Sequence, residues 1–207
     1  KSEIRLDIAL EYENLGDWKN AISVLEEALT HDVSNEAALF ELAFCYDKMN
    51  NLKSAIEFFN QFLNENPYST TGWYNLGNAY HRIGSIKQAI DAYDFAIEID
   101  DKYVQAYQQK AEAYGCNDNF SDALATYLEI LQIADATPHT LCSIGECYER
   151  LDNYLEAEVY YKKCLILNEG YPDAYIGLGV LGDLQSDNAL AVTCFEQAVL
   201  LTPDNSD

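Results

Sequence analysis

The sequence predicts an all-α protein, a stack of antiparallel helix pairs. Alanine recurs every 34 residues, at Ala21, Ala55, Ala89, Ala123, Ala157 and Ala191, with no insertion or deletion in between. A second column at the same period holds only tiny residues: Ala9, Ala43, Gly77, Ala111, Gly145 and Gly179. Around both columns the apolar residues return at helical spacing, as in Trp73, Leu76, Gly77, Tyr80 and then Ile86, Ala89, Ile90, Tyr93, Ile97. Each period therefore encodes two amphipathic helices. One such hairpin cannot cover its own apolar face, so neighbours must stack.

The elements follow in order within each unit. The first helix carries an apolar column at Ile8, Leu42, Leu76, Ile144 and Leu178, interrupted by Lys110. It ends in a tyrosine column, Tyr12, Tyr46, Tyr80, Tyr114 and Tyr148, with Gly182 in the sixth place. Turn residues come next: Gly16, Asn50, Gly84, Asp118, Asp152 and Ser186. The second helix opens on a large residue, Trp18, Leu52, Ile86, Phe120 or Tyr154, replaced by Asn188 in the last unit. After its alanine it carries Leu25, Phe59, Tyr93, Tyr127, Tyr161 and Phe195, rings and branched chains sized to fill the space beside the tiny column. Pro67 and Pro203 stop second helices. The expected organisation is a single solenoid over residues 1–207. Its repeats run approximately over 2–35, 36–69, 70–103, 104–137, 138–171 and 172–205. The sixth unit is the weakest, since Gly177, Gly179 and Gly182 each cost about 1 kcal/mol against Ala in a helix. Residues after Pro203 could not form a polar capping helix, so the chain is expected to be a segment of a longer protein.

This pattern resembles the tetratricopeptide repeat family. Its W-x2-L-G-x2-Y signature stands in Trp73, Leu76, Gly77 and Tyr80, followed by Ala89, Tyr93 and Ala96. The resemblance covers all six units. It departs at Arg5, Leu39 and Leu141, where Trp is typical, and at Lys110 and Gly182. It implies a right-handed superhelix of antiparallel helix pairs, with the first helix of each pair lining the concave side. It also implies a non-catalytic scaffold or adaptor that holds a peptide or helix of a partner protein.

Composition narrows the partners. The chain has 207 residues, 12 Lys+Arg against 35 Asp+Glu, and a formal charge of −23. That balance argues against phosphate backbones and anionic membrane surfaces, which require cations. Two readings of it stay open: solubility with long-range attraction to a basic protein partner, or the general composition of the source organism's proteins. Six cysteines could suggest disulfides, but Cys45 and Cys147 occupy the column of Ala79 and Ala113, and Cys164 that of Ala28, Ala96 and Ala198. Small buried thiols are the better reading, and a reducing, cytoplasmic setting is expected.

Several chemical motifs are declined. Gly177-x-Gly179-x-x-Gly182 spells a dinucleotide fingerprint, but it falls inside a helix instead of between a strand and a helix. His139, Cys142 and Glu146 share a helical face without further metal-ligand context. His31, His81 and His139 lie in different repeats and suggest no catalytic grouping. No cofactor, metal site or enzymatic activity is expected.

On the resemblance, the site falls on first-helix residues outside the core columns. Leu6, Leu10, Phe40, Phe44 and Tyr74 would anchor apolar groups. Asn75, Asn78, His81, Gln105, Gln108, Gln109, Glu112 and His139 form a polar middle whose amides can bond an extended backbone. Family members that bind chaperone tails use a Lys, Asn and Arg clamp. Here the asparagines are present and the cations are missing, with only Arg82 and Arg150 near the groove. A cover for Leu6, Leu10, Phe40 and Phe44 stays equally open, either a further helix or a second copy of the chain in a homodimer. A third reading places a catalytic part outside residues 1–207.

Overall fold

The computed structural model describes residues 2–202, with only the backbone of residues 2 and 3. Pro203, expected to stop the last helix, lies outside the described residues. The described residues form twelve α-helices and no strand. The first helices of the pairs are α1 (Ser2–Asn14), α3 (Glu36–Lys48), α5 (Thr70–Arg82), α7 (Val104–Cys116), α9 (Pro138–Arg150) and α11 (Pro172–Leu184). The second helices are α2 (Trp18–His31), α4 (Leu52–Glu65), α6 (Ile86–Ile99), α8 (Phe120–Ile133), α10 (Tyr154–Leu167) and α12 (Asn188–Leu201). The chain divides into two compact units, Lys1–Ala113 and Tyr114–Asp207.

The turns show why the sequence folds this way locally. Gly16, Asn50, Gly84, Asp118, Asp152 and Ser186 all have positive φ, between 51° and 77°. Glycine takes that conformation without penalty, and Asn and Asp tolerate it better than other residues. Each turn closes with the same two bonds. The N–H of Gly16 donates to the Glu13 carbonyl (2.9 Å), and that of Asp17 to the Tyr12 carbonyl (2.8 Å). Asn50/Asn51, Gly84/Ser85, Asp118/Asn119, Asp152/Asn153 and Ser186/Asp187 repeat them. This is the Schellman closure of a helix C-terminus. The following residue then caps the next helix: Asp17, Asn51, Asn119 and Asp187 accept N–H groups of α2, α4, α8 and α12 through their side chains. Each such cap stabilises by about 1 kcal/mol.

Unit 1 buries Leu25, Leu39, Leu42, Cys45, Phe59 and Leu76 in its main core. Within it a Cβ added to Gly77 would overlap the ring of Tyr93, so the tiny column is a seat for the second-helix ring. The Tyr93 hydroxyl donates to Asn78 Oδ1 at 2.9 Å. Unit 2 repeats the device. Tyr161 lies against both Gly145 and Gly177, and Phe195 lies against Gly179. The Tyr161 hydroxyl donates to Glu149 Oε2 at 2.8 Å. The apparent dinucleotide fingerprint lies inside α11: Gly177 and Gly179 are ring seats, and Gly182 lets the Ala191 backbone approach closely.

Three side chains depart from their sequence columns. Lys110 sits in the apolar column, but its ammonium reaches Asp94 at 2.6 Å, so the stem packs while the charge is matched. Ile8 was expected in the core and is exposed. Cys142, on one helical face with His139 and Glu146 by its spacing, is buried while those two are exposed, and it shares a core with Tyr161 and Cys164. All six cysteines are free, and all but Cys116 are buried.

Candidate functional site

Consecutive first helices of unit 1 touch directly, α1 with α3 and α3 with α5. Their shared face carries large aromatic residues. Phe40 and Phe44 are each 42% exposed. Neither is loose. Phe44 meets Trp18 edge-on, with ring centroids 5.9 Å apart, and the Lys48 ammonium stands 5.0 Å from its centroid. Phe40 meets Tyr74 edge-on at 6.2 Å, and Tyr74 meets Tyr103 at 5.4 Å. Rings held this way present apolar area at low entropic cost to a ligand. Leu10 is exposed on α1, and Leu6 is half-buried.

Beside Phe44 lies a cavity of about 420 Å³. Its polar lining is Asp47, Asn75, Asn78, His81, Arg82 and Gln109, and its apolar wall includes Leu52, Ala55 and Phe59. Asp47 and Arg82 form an ion pair across it. Phe44, Asn75, Asn78, His81 and Gln109 from the sequence reading are thus brought together. All three amides are already engaged. Asn75 was expected to be free for a ligand backbone, but it is buried, and its Nδ2 donates to the Leu39 carbonyl at 3.4 Å. It contributes to the cavity wall and holds α5 on α3. Asn78 accepts the Tyr93 hydroxyl and keeps its amide N–H groups for other partners. Gln109 Nε2 donates to Glu112 Oε2 at 2.8 Å.

The remaining candidates lie outside this lining. Phe40 and Tyr74 meet each other beyond it, Leu6 and Leu10 lie on α1, Gln105 is exposed, and Gln108 and Glu112 are half-buried on α7. His139 is exposed on α9 in unit 2. The sequence reading missed Asp47. The signal was available, because Glu13, Asp47 and His81 form one column immediately after the tyrosines.

The groove electrostatics are acidic. Glu13 and Glu41 stand within hydrogen-bonding reach of each other. Burial raises the pKa of the Glu13 carboxyl, and the Glu41 charge adds to the rise; the Cys45 thiol, donating to Glu13 Oε1 at 3.4 Å, partly offsets it. The Cys45 thiol is itself pushed up to about 12, mainly by burial and then by Glu13. A thiol with so little thiolate is a packing group, not a nucleophile. Among the described residues no group of three His, Cys, Asp or Glu could hold a metal ion, and no helix is long and apolar enough to cross a membrane.

Comparison with known proteins agrees with this architecture. The family model described as anaphase-promoting complex, cyclosome, subunit 3 matches residues 14–96, and a tetratricopeptide repeat model matches residues 138–171. No curated protein matches the chain. Among solved structures, that of the MamA protein is 28% identical, with 81% of this chain covering 92% of that one and a TM-score of 0.67. PilF of Pseudomonas aeruginosa is 17% identical, with 99% of this chain covering 93% of that one and a TM-score of 0.75. YrrB, a repeat protein described as having an unusual peptide-binding site, is 17% identical over 87% of this chain and 93% of its own, with a TM-score of 0.69. The last two show the fold alone. With its repeats matched in both units and its helix pairs superposing on those structures, the chain is a tetratricopeptide repeat protein, an all-α solenoid of the kind that serves as a protein-interaction scaffold.

Proposed function

We propose that the first-helix face of unit 1 holds a segment of a partner protein, without catalysis. Phe40 and Phe44 anchor its apolar side chains, and the adjoining cavity receives one of them beside Asn78, His81 and Gln109. The observation that carries this reading is the pair of half-exposed phenylalanines, fixed by neighbouring rings, of which Phe44 opens onto a cavity of about 420 Å³. Desolvated aromatic anchors beside polar groups are the usual makeup of an interaction hot spot. The partner segment is basic. The chain carries −23, and Arg82 and Lys48 near the cavity are already occupied by Asp47 and the Phe44 ring. Opposite charge speeds encounter and weakens as salt screens it.

Selection from a random displayed-peptide library tests this. Enriched peptides should pair aromatic or large aliphatic residues with Lys or Arg. Their binding should be lost in Phe40→Glu/Phe44→Glu while far-UV circular dichroism stays unchanged. Enrichment of acidic peptides, or binding that survives the double substitution, overturns the assignment.

A further inference from the structure

Three positions on the second helix of every pair face solvent. In α2 they hold Lys19, Ser23 and Thr30; in α4, Lys53, Glu57 and Asn64; in α6, Lys87, Asp91 and Glu98. In α8 they hold Ser121, Ala125 and Gln132, and in α12 Ala189, Thr193 and Leu200. All of these are exposed, so the stacking of helix pairs leaves the three columns uncovered wherever they stand in the chain. In α10 the same positions hold Leu155, Val159 and Ile166, exposed at 76%, 42% and 83%. No other second helix fills all three with large aliphatic residues.

At 3.6 residues per turn, Leu155, Val159, Lys162 and Ile166 fall within about 60° of arc, one stripe along the helix. The inner side of α10 is apolar too, with Ala157, Tyr161 and Cys164 in the core of unit 2. A helix apolar on both sides is ordinarily covered on both. The charges of the stripe are already matched: Lys162 Nζ donates to Glu158 Oε1 at 2.6 Å. Across the whole helix Glu156 and Glu158 balance Lys162 and Lys163, whereas each of the other five second helices has more acidic than basic residues. In a chain of −23, α10 is therefore the second helix on which two copies repel least. A basic partner has no excess charge to meet there.

We propose that the α10 stripe pairs with the same stripe of a second copy, the two helices antiparallel about a two-fold axis level with Tyr160 and Tyr161. The stripe is self-complementary in that register. Leu155 stands opposite Ile166 of the second copy, and Val159 opposite the aliphatic stem of its Lys162. Glu158 comes level with Lys162 of the second copy to within about 1.5 Å along the axis, on the same side of the contact. The two intrachain ion pairs thus join into one cluster of alternating charge at the centre, with aliphatic contacts at both ends. The contact is isologous, so assembly closes at a dimer. One helical stripe is small beside a permanent dimer interface, so the association depends on concentration.

Sedimentation equilibrium across a concentration series tests the proposal. The wild type should pass from monomer to dimer and no further. Leu155→Glu/Ile166→Glu should dimerise at least about 100-fold more weakly. Both side chains are exposed, so its far-UV circular dichroism should match wild type. Lys162→Glu gathers four carboxylates at the centre and should weaken the dimer about tenfold. Glu158→Lys/Lys162→Glu should restore it, because the exchanged charges meet again in the same register. With exposed Cys116 changed to Ser, Leu155→Cys and Ile166→Cys proteins should cross-link to each other under mild oxidation. Neither should cross-link to itself, since antiparallel pairing holds like positions about 16 Å apart. Phe40→Glu/Phe44→Glu should dimerise like wild type, which separates this contact from the groove. A wild type that stays monomeric up to about 1 mM overturns the proposal. So does a Leu155→Glu/Ile166→Glu protein that still dimerises, or cross-linking between like cysteines.

Discussion

Both units seat second-helix rings on small first-helix residues, but unit 1 also displays aromatic residues from its first helices. In unit 1 the first helices carry Phe40, Phe44 and Tyr74, and the two phenylalanines reach solvent. In unit 2 the first helices α9 and α11 carry Gly145, Gly177 and Gly179, and the rings come from the second helices to fill those hollows. The ring of Tyr161 is the clearest case, being buried, hydrogen-bonded to Glu149 and seated on two glycines. The same helix pair can thus spend an aromatic on cohesion or on display. The choice depends on whether the first helix leaves a hollow.

Substitutions in unit 2 should break cohesion. Tyr161→Ala should have the largest effect, about 3–5 kcal/mol, because it empties a buried ring site and orphans Glu149. Urea unfolding followed by far-UV circular dichroism checks it. Gly177→Val should cost about 3 kcal/mol from overpacking, since even its Cβ overlaps the Tyr161 ring. A Gly177→Val protein as stable as wild type would show that the ring has room to shift. Tyr161→Phe keeps the packing and loses only the bond to Glu149, for about 1 kcal/mol in the same assay.

In unit 1 the expected order reverses, with small effects on stability and large ones on binding. Phe40→Glu/Phe44→Glu gives up two edge-on ring contacts, for about 1 kcal/mol, yet should remove peptide binding. A loss as large as that of Tyr161→Ala would mean that these rings are core. The smallest effect belongs to Glu13. Its folded pKa is raised, so folding disfavours its charged form: stability is greatest below the unfolded pKa and falls as pH rises through the folded one. Glu13→Gln should therefore be slightly more stable than wild type at neutral pH, with the difference fading as pH falls through the folded value. Unfolding curves at matched pH values measure this, and a variant less stable at neutral pH would contradict it.

Much of this was legible in the sequence because repetition turns single residues into columns. The six turn residues, the tiny column and the ring column were each readable as local chemistry. Positive φ, close approach and groove filling are demands that one residue type meets wherever it stands. The candidate site was less legible. Asn75 looked available by its place on α5, yet α3 is near enough to bury it and take its amide hydrogen. Asp47 looked like an ordinary surface acid, and its pairing with Arg82 follows from α3 and α5 lying side by side.

By itself the sequence determined the helix pairs, their lengths and their turns, because these depend on interactions within one 34-residue period. Only the tertiary structure decided which faces were covered. Ile8 and Leu42 share a column, as do Phe195 and Phe59, yet one member of each pair is exposed and the other buried. Burial is a property of what stands opposite a side chain, and in a stacked array that neighbour belongs to another repeat.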